Sequence, residues 1–81
     1  MKRGHKFLKA VGQRLRQARR DAGLTQAQMA EILGRPQSYV SKCERAKRQI
    51  DLIEFVEFVL VYGKPTAWYL DYLLDIWEQT R

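Results

Sequence analysis

A single cysteine, Cys43, leaves no partner for an intrachain disulfide and no cysteine cluster for a metal. A single histidine, His5, stands among Lys and Arg with no ligand at metal spacing and reads as solvated. No Gly-rich phosphate loop occurs, and the carboxylates fall on the expected outer faces of helices rather than in acid–base pairs. An enzyme is therefore not expected, and no cofactor is called for. No stretch approaches the roughly 18 uninterrupted apolar residues of a membrane span. The basic N-terminus is not followed by the apolar run of a secretory signal. Together with the lone thiol, this fits a reducing cytoplasm. Internal repeats and low-complexity linkers are missing too, so residues 1–81 read as one domain. At that size a single core is only marginally stable, and oligomerisation would help.

What the chain does have is basic charge in one half. Residues 1–50 carry thirteen Lys and Arg against three acids, Asp21, Glu31 and Glu44. Residues 51–81 carry Lys64 and Arg81 against six acids. The first half suits a polyanion and the second does not. A membrane-surface or ribosome-binding segment would show the same balance, so charge alone does not name the partner.

The stretch from Thr25 to Arg45, TQAQMAEILGRPQSYVSKCER, predicts two short helices joined by a tight turn. Thr25 and Gln28 have the spacing of a capping box, with Leu24 and Met29 placed as a hydrophobic staple. Gly34 suits the left-handed residue that closes the first of these helices. Pro36 biases Arg35 away from helical angles and keeps the turn short. In the second helix, at about 100° per residue, Val40 and Cys43 point to the core. Gln37, Ser38, Ser41, Lys42 and Arg45 share the opposite arc, which is all hydrogen-bonding groups and positive charge. A buried thiol acting as a small hydrophobe accounts for Cys43.

Around this motif the periodicity gives three more helices. A basic arm, residues 1–6, precedes a first helix over Phe7–Ala22, with Leu8, Val11, Leu15, Ala18 and Ala22 as its buried stripe. The arm could follow phosphates or enter a minor groove. Arg14, Arg16 and Arg20 are expected to project outward. Asp51 and Glu54 repeat the capping box, with Ile50 and Phe55 as staple, and open a fourth helix that stops at Gly63. The β-branched run FVEFVLV makes a strand the runner-up there. A fifth helix, Thr66 to about Gln79, carries more aromatic surface than one contact inside a small bundle needs. Trp68, Leu73 and Trp77 on it are expected to meet a second copy of the chain.

The whole string LTQAQMAEILG-RPQSYVSKCERAKR resembles the helix-turn-helix of the Cro and phage-repressor class of XRE-like regulators, from about Leu15 to Leu70. That resemblance implies an all-α, lambda-repressor-like bundle of about five helices. Gln26 matches a glutamine that holds a phosphate and braces the recognition helix. Gln37, Ser38, Ser41 and Lys42 match base-reading positions. Arg45, Lys47 and Arg48 match phosphate contacts, and the basic groups of the first helix, Arg19 among them, are assigned to the phosphates as well. Arg19 and Glu44 also match a buried ion pair between the first and third helices. Two positions depart from the pattern. Pro36 replaces a Ser or Thr N-cap, and Ala46 replaces a Gly after the recognition helix, so that helix either continues past Arg45 or ends in an unusual turn.

The function expected is sequence-specific binding of double-stranded DNA by a homodimer that represses transcription at a palindromic operator. Two rivals share the fold. One is an antitoxin whose aromatic C-terminal helix neutralises a toxin, which a stable heteromeric complex would favour. The other is a protein-interaction adaptor that has lost base readout, against which the intact basic arc argues.

Overall fold

The computed structural model describes residues 3–80. Glycines in the left-handed region (Gly23, Gly34 and Gly63, φ 74°, 67° and 75°) close three of its helices. Pro36 and Pro65 sit immediately before two others. The elements are α1 (Arg3–Asp21), α2 (Gln26–Leu33), α3 (Gln37–Glu44), α4 (Leu52–Tyr62) and α5 (Thr66–Gln79). The FVEFVLV run is helical: with the Asp51 cap in place, packing overrides the β preference of its side chains. None of the helices is long and apolar enough to cross a membrane.

Both expected capping boxes form. Thr25 Oγ1 accepts from the Gln28 N–H at 3.1 Å, and Gln28 Oε1 accepts from the Thr25 N–H at 2.9 Å. Asp51 Oδ1 and Glu54 Oε1 repeat the exchange at 2.8 and 3.0 Å. Each such cap contributes about 1 kcal/mol. The α2–α3 turn is closed by the Arg35 N–H donating to Ala30 O and the Gly34 N–H to Glu31 O. The same pair of bonds ends α3: the Lys47 N–H donates to Lys42 O at 2.9 Å and the Ala46 N–H to Cys43 O at 3.4 Å. Here the left-handed residue is Ala46 (φ 57°), the only one among the described residues that is not glycine. The helix thus stops on schedule, in a turn whose Cβ makes it strained.

The core is built from Leu15, Ala18, Met29, Val40, Cys43, Phe58 and Tyr69, all without solvent exposure. Tyr39 lies parallel to Phe58, with ring centroids 6.0 Å apart. α1 runs through the middle of the fold, packed on α3 along one side and on α5 along another. Gly12 makes the first of these contacts possible. A Cβ on it would fall 2.5 Å from Glu44 O and 2.8 Å from Cys43 O, so the two backbones touch.

Several expectations for the two ends need correction. The helix begins at Arg3 rather than Phe7, so Arg3–Lys6 of the supposed arm is its first turn; Met1 and Lys2 lie outside the described residues. Ala22 is exposed and Leu8 is only half-buried, because α1 ends at Asp21 and Ala10 takes part of the inner face. Arg14 does not project into solvent. Its guanidinium lies 3.5 Å from the centroid of the Trp68 ring and donates twice to Trp68 O, at 3.0 and 2.8 Å. Arg3 covers Trp77 in the same way at 3.6 Å, and Phe7 meets that indole edge-on. A cation over an indole contributes about 0.5–2 kcal/mol. α1 therefore uses much of the aromatic surface that the sequence alone left without a partner. Leu73 is 5% exposed and belongs to the core, so it is no contact for a second copy; Trp68 is half-buried, and Trp77 stays 37% exposed.

Candidate nucleic-acid interface

α3 divides as its sequence predicts. Tyr39, Val40, Cys43 and Glu44 are buried, Gln37, Ser38, Lys42 and Arg45 are exposed, and Ser41 is half-buried at the boundary. No side-chain hydrogen bond or ion pair within the described residues occupies Gln37, Ser38, Ser41, Lys42, Arg45 or Lys47. These groups therefore face solvent with their donors and acceptors free. Pro36 is the N-cap of α3 and provides no side-chain bond to the N–H groups of the first turn, of which that of Tyr39 donates to Pro36 O at 3.0 Å.

What holds this face at a fixed angle is a buried carboxylate. The Glu44 side chain has no solvent exposure. Arg19 grips it with two bonds, Nε to Oε2 at 2.7 Å and Nη2 to Oε1 at 3.1 Å. Gln26 Nε2 donates to Oε1 at 3.1 Å, and Arg16 Nε reaches the same oxygen at 3.3 Å. The third arm of Arg19 donates to Leu24 O at 2.8 Å. The bond from Glu44 holds the Arg19 guanidinium even more firmly protonated than usual. One carboxylate thus ties α1, the start of α2 and the end of α3 together.

This changes the assignment of Arg19. Its side chain is 10% exposed and every bond it makes is internal, so it cannot also serve a phosphate. Gln26, half-buried, braces the recognition helix through Glu44. Arg48 is also engaged: it donates to both oxygens of Glu54 at 2.8 Å and to Gln49 O at 2.9 Å. Its guanidinium and that of Arg35 flank the Tyr39 ring, 4.9 and 4.5 Å from the centroid. Arg48 fixes the loop between α3 and α4 instead of reaching from it. The Arg48 guanidinium and the Asp51 N–H hold the Glu54 carboxyl down from its ordinary 4.5 to about 2. With the folded value lowered, this contribution to stability is complete above pH 4.5 and disappears as pH falls towards 2.

Two residues matter here beyond the sequence expectations: Gly12, which the sequence reading leaves aside, and Arg16, which turns to Glu44 instead of projecting outward. Gly12 sets the distance between α1 and α3, and an isolated glycine inside an otherwise helical stripe is the available signal for such close packing. Arg16 is the second cation on Glu44; its position one turn before Arg19 on α1 points to the same carboxylate.

A family model described as a helix-turn-helix domain matches residues 10–67, from the second turn of α1 to the opening of α5. No curated protein and no solved structure matches the chain.

Proposed function

The chain belongs to that helix-turn-helix, DNA-binding family, and from this premise we propose that it is a sequence-specific regulator that represses transcription. It occupies a palindromic operator as a homodimer. The observation that carries the reading is the free polar and basic arc of α3, held rigid by Glu44. A helix of this width fits the major groove, where Gln37, Ser38, Ser41 and Lys42 meet the donors and acceptors of base edges. Arg45 and Lys47, beside it, hold phosphates and set the register.

Selecting bound sequences from a random duplex pool tests this directly. Enriched inverted repeats support the reading. No enrichment, with a stable heteromeric complex in hand, overturns it in favour of the antitoxin. Readout and anchoring separate by mutation. Lys42→Ala is expected to weaken binding by about 1–3 kcal/mol and to relax preference at one base pair. Lys47→Ala should weaken all duplexes alike and lower the salt slope by about one. Uniform losses for both would make Lys42 a phosphate contact.

One recognition helix reads too few base pairs to pick a site, so a second copy must be held about one DNA turn, roughly 34 Å, away. With Leu73 buried, the apolar side chains left over lie chiefly on α4. Leu52 and Ile53 are about three-quarters exposed, at 77% and 74%, and Val56 follows one turn on. We place the two-fold contact there. Leu52→Glu with Ile53→Glu adds acids to the first turn of a helix, where the dipole favours them, so folding should survive. Sedimentation should then show a helical monomer. A double mutant that stays dimeric moves the contact to Leu70 and Leu74 of α5.

A further inference from the structure

Among the described residues the buried charged side chains are Arg19, Glu44 and Glu54. The first two tie α3 to α1 and α2. Glu54 has another place: it stands in the first turn of α4, and its partners come from both ends of α3. Arg48, in the loop that leaves α3, donates to both its oxygens at 2.8 Å. Arg35, just before the Pro36 cap that opens α3, lies 3.6 Å from Glu54 Oε2 and 3.6 Å from Glu57 Oε1. The buried Tyr39 ring, in the first turn of α3, lies 4.5 Å from the Arg35 guanidinium and 4.9 Å from that of Arg48. It also stacks on Phe58 of α4. α3 otherwise packs on α1 and α2, and far less on α4. The link from the recognition helix to α4 is therefore this set of side chains.

We infer, resting on the proposed homodimer with its two-fold contact on α4, that Glu54 with Arg35, Tyr39 and Arg48 sets the spacing between the two DNA half-sites. In that dimer the path from one recognition helix to the other passes through α4 of each copy. Leu52 and Ile53 immediately precede Glu54, so the contact and the cluster share one turn of helix. The two-fold axis applies any shift of α3 against α4 twice. One base pair more between half-sites moves the second by about 3.4 Å and turns it by about 35° around the duplex. A bidentate arginine–carboxylate pair has fixed geometry and does not stretch to follow. The two buried carboxylates thus govern separate quantities. Glu44 fixes how α3 meets one half-site, and Glu54 fixes how far away the other must be.

The test places two selected half-sites in one duplex and varies the gap one base pair at a time. The unmutated chain should favour one gap by about tenfold over its neighbours, the cost of one poorly met base pair. Arg48→Met should remove most of that preference. Its affinity for an isolated half-site should change by no more than about twofold, as expected of independent sites. Glu54→Gln repeats the test from the other side, since glutamine keeps an acceptor for the Asp51 N–H but not the charge. Partial unfolding would weaken binding at every gap alike, so the ratio between gaps reports positioning and not stability. An unchanged ratio in both variants overturns the inference. A loss of half-site affinity with the gap preference intact also overturns it, and assigns the cluster to α3 alone. If the unmutated chain itself shows no gap preference, the homodimer reading fails, and the spacing role with it.

Discussion

Gly12→Ala is expected to melt about 10–20 °C below the unmutated chain. The added methyl would lie 2.5 Å from Glu44 O and 2.8 Å from Cys43 O, well inside contact distance. Both obstacles are backbone carbonyls at the end of a helix, so no side chain can turn aside to make room. Alanine does favour the helix, by up to about 1 kcal/mol over glycine. Against it stands the cost of forcing two packed helices apart, which reaches about 3 kcal/mol or more where the surroundings do not yield. The clash wins, and for a domain of this size each kcal/mol moves the midpoint by about 4–8 °C. The effect should extend to binding, since displacing the end of α3 moves Lys42 and Arg45 with it. A thermal melt of Gly12→Ala within a degree or two of the parent would mean that α1 and α3 separate freely, and would remove the basis for a rigid recognition helix.

Glu44→Ala should be about as damaging, for an electrostatic reason. The substitution leaves the Arg19 guanidinium buried with no counter-charge and deprives Gln26 and Arg16 of their common acceptor. Breaking a buried pair in this way costs about 3–5 kcal/mol. The pair itself need not be stabilising, because desolvation of both ions offsets much of their attraction. A second variant separates these statements. Arg19→Met with Glu44→Leu removes both charges and should recover much of the lost stability, yet bind DNA poorly, because Gln26 no longer braces α3. Recovery of both stability and affinity would reduce the network to a packing element. An unchanged melt for Glu44→Ala would contradict the burial of the pair.

The parts of the fold legible in the sequence are those governed by local rules. The two capping boxes, the left-handed glycines and the prolines lie within a few residues of what they control, and the helix boundaries from Gly23 onward follow from them. The division of α3 into a buried and a free face was likewise readable from its period. What escaped depends on residues far apart. Arg14 and Arg3 look like solvated cations until α5 brings Trp68 and Trp77 beneath them. The same pairing explains why the rings of α5 looked like a surface for another chain. The family resemblance gives Arg19 two roles, and only the depth of Glu44 decides between them. Gly12 shows the same limit: an isolated glycine within α1 signals a close approach, but not that the approaching atom is a carbonyl of residue 44.

The bond from Arg3 to Thr80 joins positions 77 apart in sequence, which bears on the order in which the protein assembles during synthesis. Loop-closure entropy delays contacts of such separation, while α2 and α3 find each other across a three-residue turn. The recognition unit therefore has its partners as soon as α4 has left the ribosome. The first turn of α1, with Arg3 and Phe7, must wait for α5, and until then it is held only by its own weak helical tendency. A nascent chain probed by protease should be cut near Lys6 and Lys9 long after the segment around α3 has become resistant. The slow step is the closing of the two ends over each other, and the DNA-facing surface is finished before it.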